Sequence, residues 1–266
     1  MKRKGIFQFL ISAALLTALS CQQTQERHFP PALLTAVHQT EAALDSLSLQ
    51  LTNAALQLSL SADTSDIRFQ LQRLKAACRF TRENSFITPQ AILLMTEPPE
   101  YYPIQGAHIG HQDIMVQVLS TPQPLLSNLF HIAEGYAAVL EIHPIFTNDQ
   151  LLGFINGVFS PAQLLEEIIV PLVQNTPFNI WVMERSGVIL YDADVSEIGL
   201  NVFTDVPYAS VTELRNTCEK IAVQPIGKST CSYRDPLTDQ IISRKIFWKT
   251  LVHQGNEWKF VWVRML

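Results

Sequence analysis

The sequence predicts an α+β fold in which a long N-terminal helix precedes two tandem modules, each built on an antiparallel sheet. Apolar residues recur at helical spacing for about thirty residues from Pro31 onward. The order strand, turn, strand and helix then occurs twice along the remaining chain. The 266 residues are 47% hydrophobic and 16% charged, which is typical of a folded chain with one large domain or two ordinary ones.

The overall charge is acidic and excludes one class of partner. The chain has 24 Asp and Glu against 19 Lys and Arg, a formal net charge of −5. Binding to nucleic acid depends on many contacts between Lys or Arg and phosphates, and no basic patch is evident along the sequence. Nucleic acid is therefore not an expected partner.

The first twenty residues have the pattern of an export signal. An apolar run over residues 6–19 follows a basic start and is shorter than the roughly 20 residues of a membrane-spanning helix. The end of this run resembles a bacterial lipobox, in which a peptidase cuts before a cysteine that then receives lipid, although Ala18 stands where that motif prefers Leu. We expect a signal peptide over 1–20, lipidation at Cys21 and a tether over 21–30. An ordinary secretory signal with a chance cysteine is the alternative.

Two helices are predicted in residues 31–80. The first covers about 31–60, where leucines form an apolar stripe and the prolines before it suit a helix start. A polar break over 61–66 contains good N-cap residues, and a second amphipathic helix then ends near Phe80.

A strand, an irregular loop and a hairpin are predicted in residues 81–175. The predicted elements are a buried strand over 91–95, a proline-rich loop over 98–103, hairpin strands over 136–143 and 151–159 around a turn at 148 and 149, and a helix that Ser160 caps.

The last third of the chain, residues 176–266, repeats this plan. The predicted elements are strands over 178–184 and 188–191 around a glycine turn, a helix over about 211–221, and strands over 230–234, 241–250 and 258–264. A hairpin, a helix and three antiparallel strands in this order are typical of a PAS-like α+β domain.

Three segments carry a resemblance to a known family. Residues 188–201, with the sequence VILYDADVSEIGLN, are similar to the signature of extracellular Cache sensory domains, in which an aromatic residue and Asp precede Ile-Gly-x-Asn. Residues 148–155 resemble the segment that joins two Cache modules, and residues 252–258 resemble the closing hairpin of the second module. The chain therefore resembles the double-Cache family over about residues 30–266.

The resemblance implies a membrane-distal Cache module over 81–175, which in this family usually binds the ligand, and a membrane-proximal Cache module over 176–266. Such sensors usually continue into a transmembrane helix and an output domain, and this sequence stops at Leu266. We therefore expect the ligand state to pass to a separate sensor or receptor protein.

Polar residues enter the otherwise apolar strand region of the predicted distal module. A pocket for a small molecule needs apolar walls and a few converging polar groups, and aromatic rings with acids and histidines can hold a cationic or amphoteric ligand. The alternative is that strand alternation places several of these side chains in solvent. The expected ligand-binding residues are Tyr102, His131, Glu134, Tyr136, Glu141 and His143.

Two other pairs of polar residues are interpreted as structural or solvent-exposed rather than functional. Asp192 and Asp194 could pair for acid–base chemistry, but two Asp residues that follow a strand more often cap the local backbone, and we expect a turn. His108 and His111 lack a third ligand at a suitable spacing, so no metal site is expected.

The cysteines after Cys21 leave one alternative open. Cys218 and Cys231 flank a short segment and could form a disulfide in an oxidising compartment, or they could remain two buried thiols. Cys78 lies on the apolar side of a helix and is expected in the core.

The function that these observations favour is ligand sensing outside the cytoplasm by a protein that the lipid at Cys21 holds on the membrane. The sequence contains no nucleophile elbow, HExxH or P-loop, so we expect neither an enzyme nor a cofactor. The alternative is a structural or assembly lipoprotein that has a Cache-like fold and no ligand. Bulky apolar side chains filling the distal pocket would favour the alternative.

Overall fold

The computed structural model describes residues 28–61, 63–131, 136–209, 211–234 and 240–266. These residues form two antiparallel sheets that pack along one long helix, so the predicted α+β class with two PAS-like modules is confirmed. The predicted signal peptide over 1–20, the lipidation residue Cys21 and the predicted ligand residue Glu134 lie outside the described residues.

The long helix α1 extends over Pro31–Leu60, as predicted, and helix α2 follows over Thr64–Ala77. Asp63 begins α2 by accepting hydrogen bonds from the backbone N–H groups of residues 65 and 66, at 2.8 and 2.9 Å. The buried face of α1, which includes Leu44 and Leu51, packs against strands of both sheets. In the described part of the chain, no helix combines the length and the apolarity that crossing a bilayer requires.

The first module, as we call the first sheet and its connections, has the strand order β2-β1-β6-β5-β3, and β4 also pairs with β5. A turn at Asn148 and Asp149, both with positive φ, joins the two longest strands. The elements are β1 Thr81–Ile87, β2 Leu93–Glu97, a 3-10 helix Pro99–Ile104, α3 Asp113–Ser120, β3 Leu125–Leu126, β4 Phe130–His131, β5 Ala137–Thr147 and β6 Gln150–Phe159.

Helix α4, Pro161–Val173, connects the first module to the second. The Ser160 side chain accepts a hydrogen bond from the backbone N–H of Gln163 at 3.4 Å, and Pro161 occupies the first helical position. The predicted cap and start of this helix are therefore correct.

The second module, as we call the second sheet and its helices, has the strand order β8-β7-β11-β10-β9. One face of this sheet packs against α1 and α4, and the other lies under helices α5 and α6. The elements are β7 Phe178–Glu184, β8 Ile189–Tyr191, a 3-10 turn Val195–Glu197, α5 Val206–Ala209, α6 Thr212–Val223, β9 Ile226–Arg234, β10 Ile241–His253 and β11 Asn256–Met265.

Strands β1, β3 and β4 and helix α3 of the first module were not predicted. Strand β1 contains Glu83, Asn84 and Ser85 in succession, all buried, and such a polar run does not show the apolar alternation of a strand. Helix α3 is only eight residues long, which is too short for its apolar spacing to be distinctive. The predicted strand over 91–95 begins later, at Leu93, because Ala91 has a φ of +58° that ends regular strand geometry.

Candidate functional site

A cavity of about 510 Å³ lies in the second module, between the sheet and helices α5 and α6. Its volume is within the range of about 300–1,000 Å³ that small-molecule pockets occupy. Strand alternation builds the floor, because every second residue of a strand points to the same face. The apolar wall residues include Trp181 of β7, Ile189 of β8, Ile246 of β10, Val263 of β11, and Leu214 and Ile221 of α6.

Three carboxylates line the rim of this cavity where the chain leaves strand β8. Asp192 accepts a hydrogen bond from the backbone N–H of Asp194 at 2.9 Å, and Asp194 caps the following 3-10 turn. Burial raises the pKa of both Asp192 and Glu197, and the neighbouring carboxylates raise both values further. A cation that entered here would reduce the repulsion among the three acids.

Arg244 of β10 brings the opposite charge to the same cavity. Its Nε atom is buried without a hydrogen-bond partner among the described residues, and its guanidinium carbon lies 5.4 Å from the centre of the Tyr233 ring. The hydroxyl of Tyr208, also buried, lacks a partner in the described structure as well. Arg244 and Asp192 line one cavity, and the charge of Arg244 acts to lower the pKa of Asp192, although no salt bridge joins the two in the described structure. The cavity therefore presents a cation and an acid that are not in direct contact.

The predicted site residue Tyr102 lies elsewhere, on the surface of the first module. Its hydroxyl donates a hydrogen bond to Oε1 of Glu97 at 2.8 Å, and the guanidinium of Arg68 lies 4.6 Å from the centre of its ring. Arg68 also forms a salt bridge with Glu97 at 2.8 Å. Tyr102 thus belongs to a cluster that ties α2 to the start of the proline-rich loop.

Two further predicted residues, His131 and Tyr136, also lie in the first module. His131 is exposed on the short strand β4. Tyr136 packs against the apolar cluster of the first module, with the guanidinium carbon of Arg82 at 4.1 Å from its ring centre. Burial is the main cause that raises the pKa of Tyr136. The two side chains do not meet Tyr102 in a common pocket.

Glu141 and His143, which the sequence analysis placed in a distal pocket, are both buried and hydrogen-bonded to each other. Both side chains point from β5 toward α1, because alternation along β5 turns Leu140 and Ile142 to the opposite face. Nε2 of His143 donates to Oε1 of Glu141 at 2.8 Å, and Nε2 of His253, in the second module, lies 3.0 Å from Oε2. These residues therefore form a contact between the modules.

The outer face of the first sheet, where the ligand was expected, carries bulky apolar side chains. They pack together with the buried face of α3, so this region is a hydrophobic core. The cluster includes Ile87, Leu93, Ile114, Met115, Leu140, Ile142 and Phe154. A filled distal module is the observation that, on the sequence analysis, favours the alternative of a structural or assembly lipoprotein with no ligand.

All three described cysteines are free and buried, so the structure contains no Cys218–Cys231 disulfide and matches the alternative of two buried thiols. Cys218 lines the cavity, and burial raises its pKa to about 12. Cys78 is in the core as expected. No group of three or more His, Cys, Asp or Glu side chains in the described ranges is arranged to hold a metal ion.

Sequence reasoning missed the cavity because its charged residues come from separate elements. Arg244 stands two residues before the buried Ile246, so strand alternation could have placed both on one face. Tyr208 lies in a four-residue helix that has no recognisable period. Asp192 and Asp194 were interpreted as a turn, which is correct, but the same turn also borders the cavity.

Comparison with known sequences identifies one family over part of the chain. The sequence model described as "HK/GC/Chemotaxis protein-like, sensor domain" matches residues 42–161, which include most of α1 and the first sheet. No curated protein sequence matches the chain.

Several solved structures share the fold over nearly the whole chain. An extracellular ligand binding receptor from Desulfohalobium retbaense has a TM-score of 0.76 and 22% identity, covering 89% of this chain and 40% of its own. The ligand-binding domain of the Pseudomonas aeruginosa amino acid chemoreceptor PctC, in complex with GABA, has a TM-score of 0.64 and 16% identity over 87% of this chain and 95% of its own.

The periplasmic sensory domain of the Campylobacter jejuni chemoreceptor Tlp1 has a TM-score of 0.63 and 12% identity, covering 88% of this chain and 93% of its own. This chain spans less than half the length of the Desulfohalobium protein and nearly the full length of the two chemoreceptor domains. The chain therefore has the two-module, Cache-type fold of extracellular and periplasmic sensory domains.

Proposed function

We propose that this protein is an extracytoplasmic sensing domain that binds a small organic ligand in the cavity of the second module and passes the ligand state to a separate partner protein. The observation that carries the proposal is the 510 Å³ cavity, which has apolar walls and is lined by charged groups of both signs, Arg244 and Asp192 among them. The sensor-domain match over residues 42–161 and the fold shared with chemoreceptor domains support the same function.

The charges of the cavity favour an amphoteric ligand. A buried charge without a partner is costly, whereas a ligand that carries both charges supplies both partners at once. Arg244 is suited to an anionic group, since its guanidinium can donate two parallel hydrogen bonds to a carboxylate. Asp192, beside Asp194 and Glu197, is suited to a protonated amine. GABA, which the PctC structure contains, is a molecule of this type.

The proposal moves the ligand from the module predicted to bind it to the other one. On the sequence-based arrangement, residues 176–266 form the membrane-proximal module, so the cavity would lie on the membrane side of the first module. The lipid anchor at Cys21 remains part of the proposal and rests on the lipobox-like end of the signal. A partner that reads the second module would therefore be located at the membrane surface.

Thermal unfolding of the full chain with a panel of amphoteric, cationic and anionic small molecules tests this function. A ligand that binds only the folded state raises the melting temperature, by an amount equivalent to about 2.7 kcal/mol at one hundred times its Kd. We expect a shift with an amphoteric compound, and we expect Arg244→Gln to remove it. The control Arg185→Gln, which changes an exposed arginine paired with Glu257, should keep the shift.

The result that contradicts the proposal is a panel without any shift, or a shift that Arg244→Gln leaves unchanged. A panel without any shift would favour the alternative of a structural or assembly lipoprotein. The apolar cluster on the outer face of the first module is consistent with this alternative.

A further inference from the structure

The turn between β10 and β11 lies between helix α1 and the first module. The backbone N–H of Leu126 donates to the carbonyl of Gln254 at 3.1 Å, and the Asn256 side chain donates to the carbonyl of Ser127 at 2.8 Å. The Gln254 side chain donates to Oγ of Ser48 on α1 at 3.1 Å. This turn of the second module thus contacts both the long helix and the segment around β3.

Each module contributes one carboxylate that contacts the other module. Glu141 extends from β5 of the first module and contacts His253 of the second at 3.0 Å. Glu184 extends from the end of β7 in the second module and accepts the backbone N–H of Leu129 in the first at 2.6 Å. Because each module supplies an acid to the other, a relative movement of the modules breaks both contacts.

Glu141 is the centre of the larger of these contacts. Its side chain is completely buried, and it accepts hydrogen bonds from His143, His253 and the hydroxyl of Ser48. Each imidazole nitrogen that faces the carboxylate must carry a proton, since an ionised carboxylate can only accept. A fully buried, ionised group with three donors fixes all three donors in place.

Asp45 and Thr52 of α1 extend this network on the helix side. Nδ1 of His253 lies 3.6 Å from the carboxylate of Asp45, which is exposed, and Nδ1 of His143 lies 3.3 Å from the hydroxyl of Thr52. Burial raises the pKa of Cys78, at the end of α2, and the nearby charge of Glu141 raises it further. Strands of both modules and the long helix therefore meet at one carboxylate.

Strands β10 and β11, whose turn lies at this contact, also line the cavity. β10 and β11 pair without a break in register from His253 and Asn256, at the turn, to Arg244 and Met265, at the open end. His253 follows Arg244 by nine positions along β10, a distance of roughly 30 Å. Arg244 and Met265 both line the cavity. A continuous two-stranded ladder therefore joins the Glu141 contact to the cavity wall.

We propose that Glu141 is a coupling residue, which through His253 holds the β10–β11 ladder against α1 and the first module and thereby fixes the cavity wall of the second module in which Cys218 is buried. The proposal rests on the proposed function only in treating this cavity as the binding site. Breaking the contact frees the turn, and the ladder carries this movement to the cavity wall. In the opposite direction, a change at the cavity alters the contact with α1, because coupling between two sites is reciprocal.

Cys218 provides a measurement that needs no ligand. Its thiol lines the cavity but is itself buried, and burial holds its pKa at about 12, so an alkylating reagent attacks it only when the cavity wall moves. We suggest iodoacetamide labelling of the full chain, with the alkylated fraction of each cysteine determined by mass spectrometry of peptides. We expect Glu141→Gln, which keeps the shape and loses the charge, to raise the labelling rate at Cys218 about tenfold.

Two comparisons separate coupling from a general loss of stability. The control Glu257→Gln changes a half-buried carboxylate on the same hairpin that pairs with Lys259 and not with α1, and it should leave the Cys218 rate unchanged. The increased rate in Glu141→Gln should also be insensitive to low urea, because local opening exposes little surface, whereas global unfolding responds steeply.

The variant His253→Gln changes the same contact on the side of the second module, so it should also raise the labelling rate at Cys218. The double variant with Glu141→Gln should label no faster than either single variant. Ser48→Ala removes only one donor, so it should act in the same direction if Glu141→Gln does not fold. An unchanged Cys218 rate, or a rate that rises with urea as steeply as global unfolding does, would overturn the proposal. Neither result bears on ligand binding, which the thermal shifts measure separately.

Discussion

Asp192 combines two roles that sequence reasoning treated as alternatives. It fixes the turn after β8 by accepting the backbone N–H of Asp194, which is the structural role that the sequence predicts. It also lines the cavity, where burial raises its pKa. The local sequence is the same for both roles. Only the folded structure, which brings Arg244 of β10 to the same cavity, shows that this turn also lines the cavity.

The orientation of Glu141 could not be derived from its own sequence neighbourhood. A strand fixes which residues share a face, so Glu141 and His143 were correctly expected together. The identity of the element that covers this face depends on α1, almost a hundred residues earlier, and on His253, more than a hundred residues later. Sequence reasoning found these polar residues and expected them to bind a ligand in the first module, whereas their contact with His253 depends on the fold as a whole.

Asn84 of β1 gives a prediction at the scale of one residue. Both polar atoms of its side chain are buried without a hydrogen-bond partner among the described residues. A buried polar group without a partner costs about 1–3 kcal/mol, so an apolar group of similar size removes this cost. We expect Asn84→Leu to leave the urea midpoint of unfolding unchanged or to raise it.

Asn156 is the matched control on the neighbouring strand. It is equally buried, but its Oδ1 accepts the backbone N–H of Ser85 at 3.0 Å. Asn156→Leu should therefore lower the free energy of unfolding by about 1–3 kcal/mol. Equal losses in the two variants would indicate that Asn84 makes a bond in solution.

At the scale of elements, the strength of the local sequence signal decided how closely the bounds were predicted. The start and end of α1 agree with the predicted 31–60, because its leucine stripe and the proline before it are both local signals. Strand β9 begins at Ile226, four residues before the predicted start. Gly227 interrupts the pattern there, and the structure explains why, since a Cβ at this position would lie 2.1 Å from the Trp248 ring.

At the scale of the molecule, two modules behind a shared helix could be predicted, whereas the module that contains the cavity could not. The repeated order of strands and helices is a property of the local sequence. Whether a sheet face is filled or hollow depends on the side chains of all the elements that cover it. The first module closes its face with α3, whereas the second leaves a cavity under α5 and α6.

Acid should weaken the contact between the modules. Burial raises the pKa of Glu141, but the hydrogen bonds from His143, His253 and Ser48 outweigh burial and lower the pKa overall. Such a carboxyl contributes stability that is complete above its unfolded pKa of about 4.3 and is lost as the pH falls through the lower folded value. We expect Glu141→Gln to flatten the loss of urea stability below about pH 5.

Glu184 provides the opposite control, because burial raises its pKa above the usual range. Its protonation on acidification relieves a cost, so Glu184→Gln should make the loss of stability in acid steeper. Parallel pH profiles for the wild type and both variants would contradict the assignment of these two carboxylates.

The lipid anchor gives a prediction about the location of the whole protein. Cys21 follows the apolar run of the signal directly. We expect Cys21→Ser to move the protein from the membrane fraction to the soluble fraction or to leave the precursor uncut. Fractionation and intact mass measure this outcome, and an unchanged mass together with an unchanged membrane fraction would exclude lipidation at Cys21.

The position of Trp181 in the wall of the cavity has an optical consequence. Of the four tryptophans, Trp248, Trp258 and Trp262 are buried, whereas Trp181 is partly open to the cavity. The red edge of the intrinsic fluorescence therefore originates mainly from an indole that water can reach. A molecule that displaces this water shifts the emission to the blue, so the protein contains its own spectroscopic reporter of occupancy.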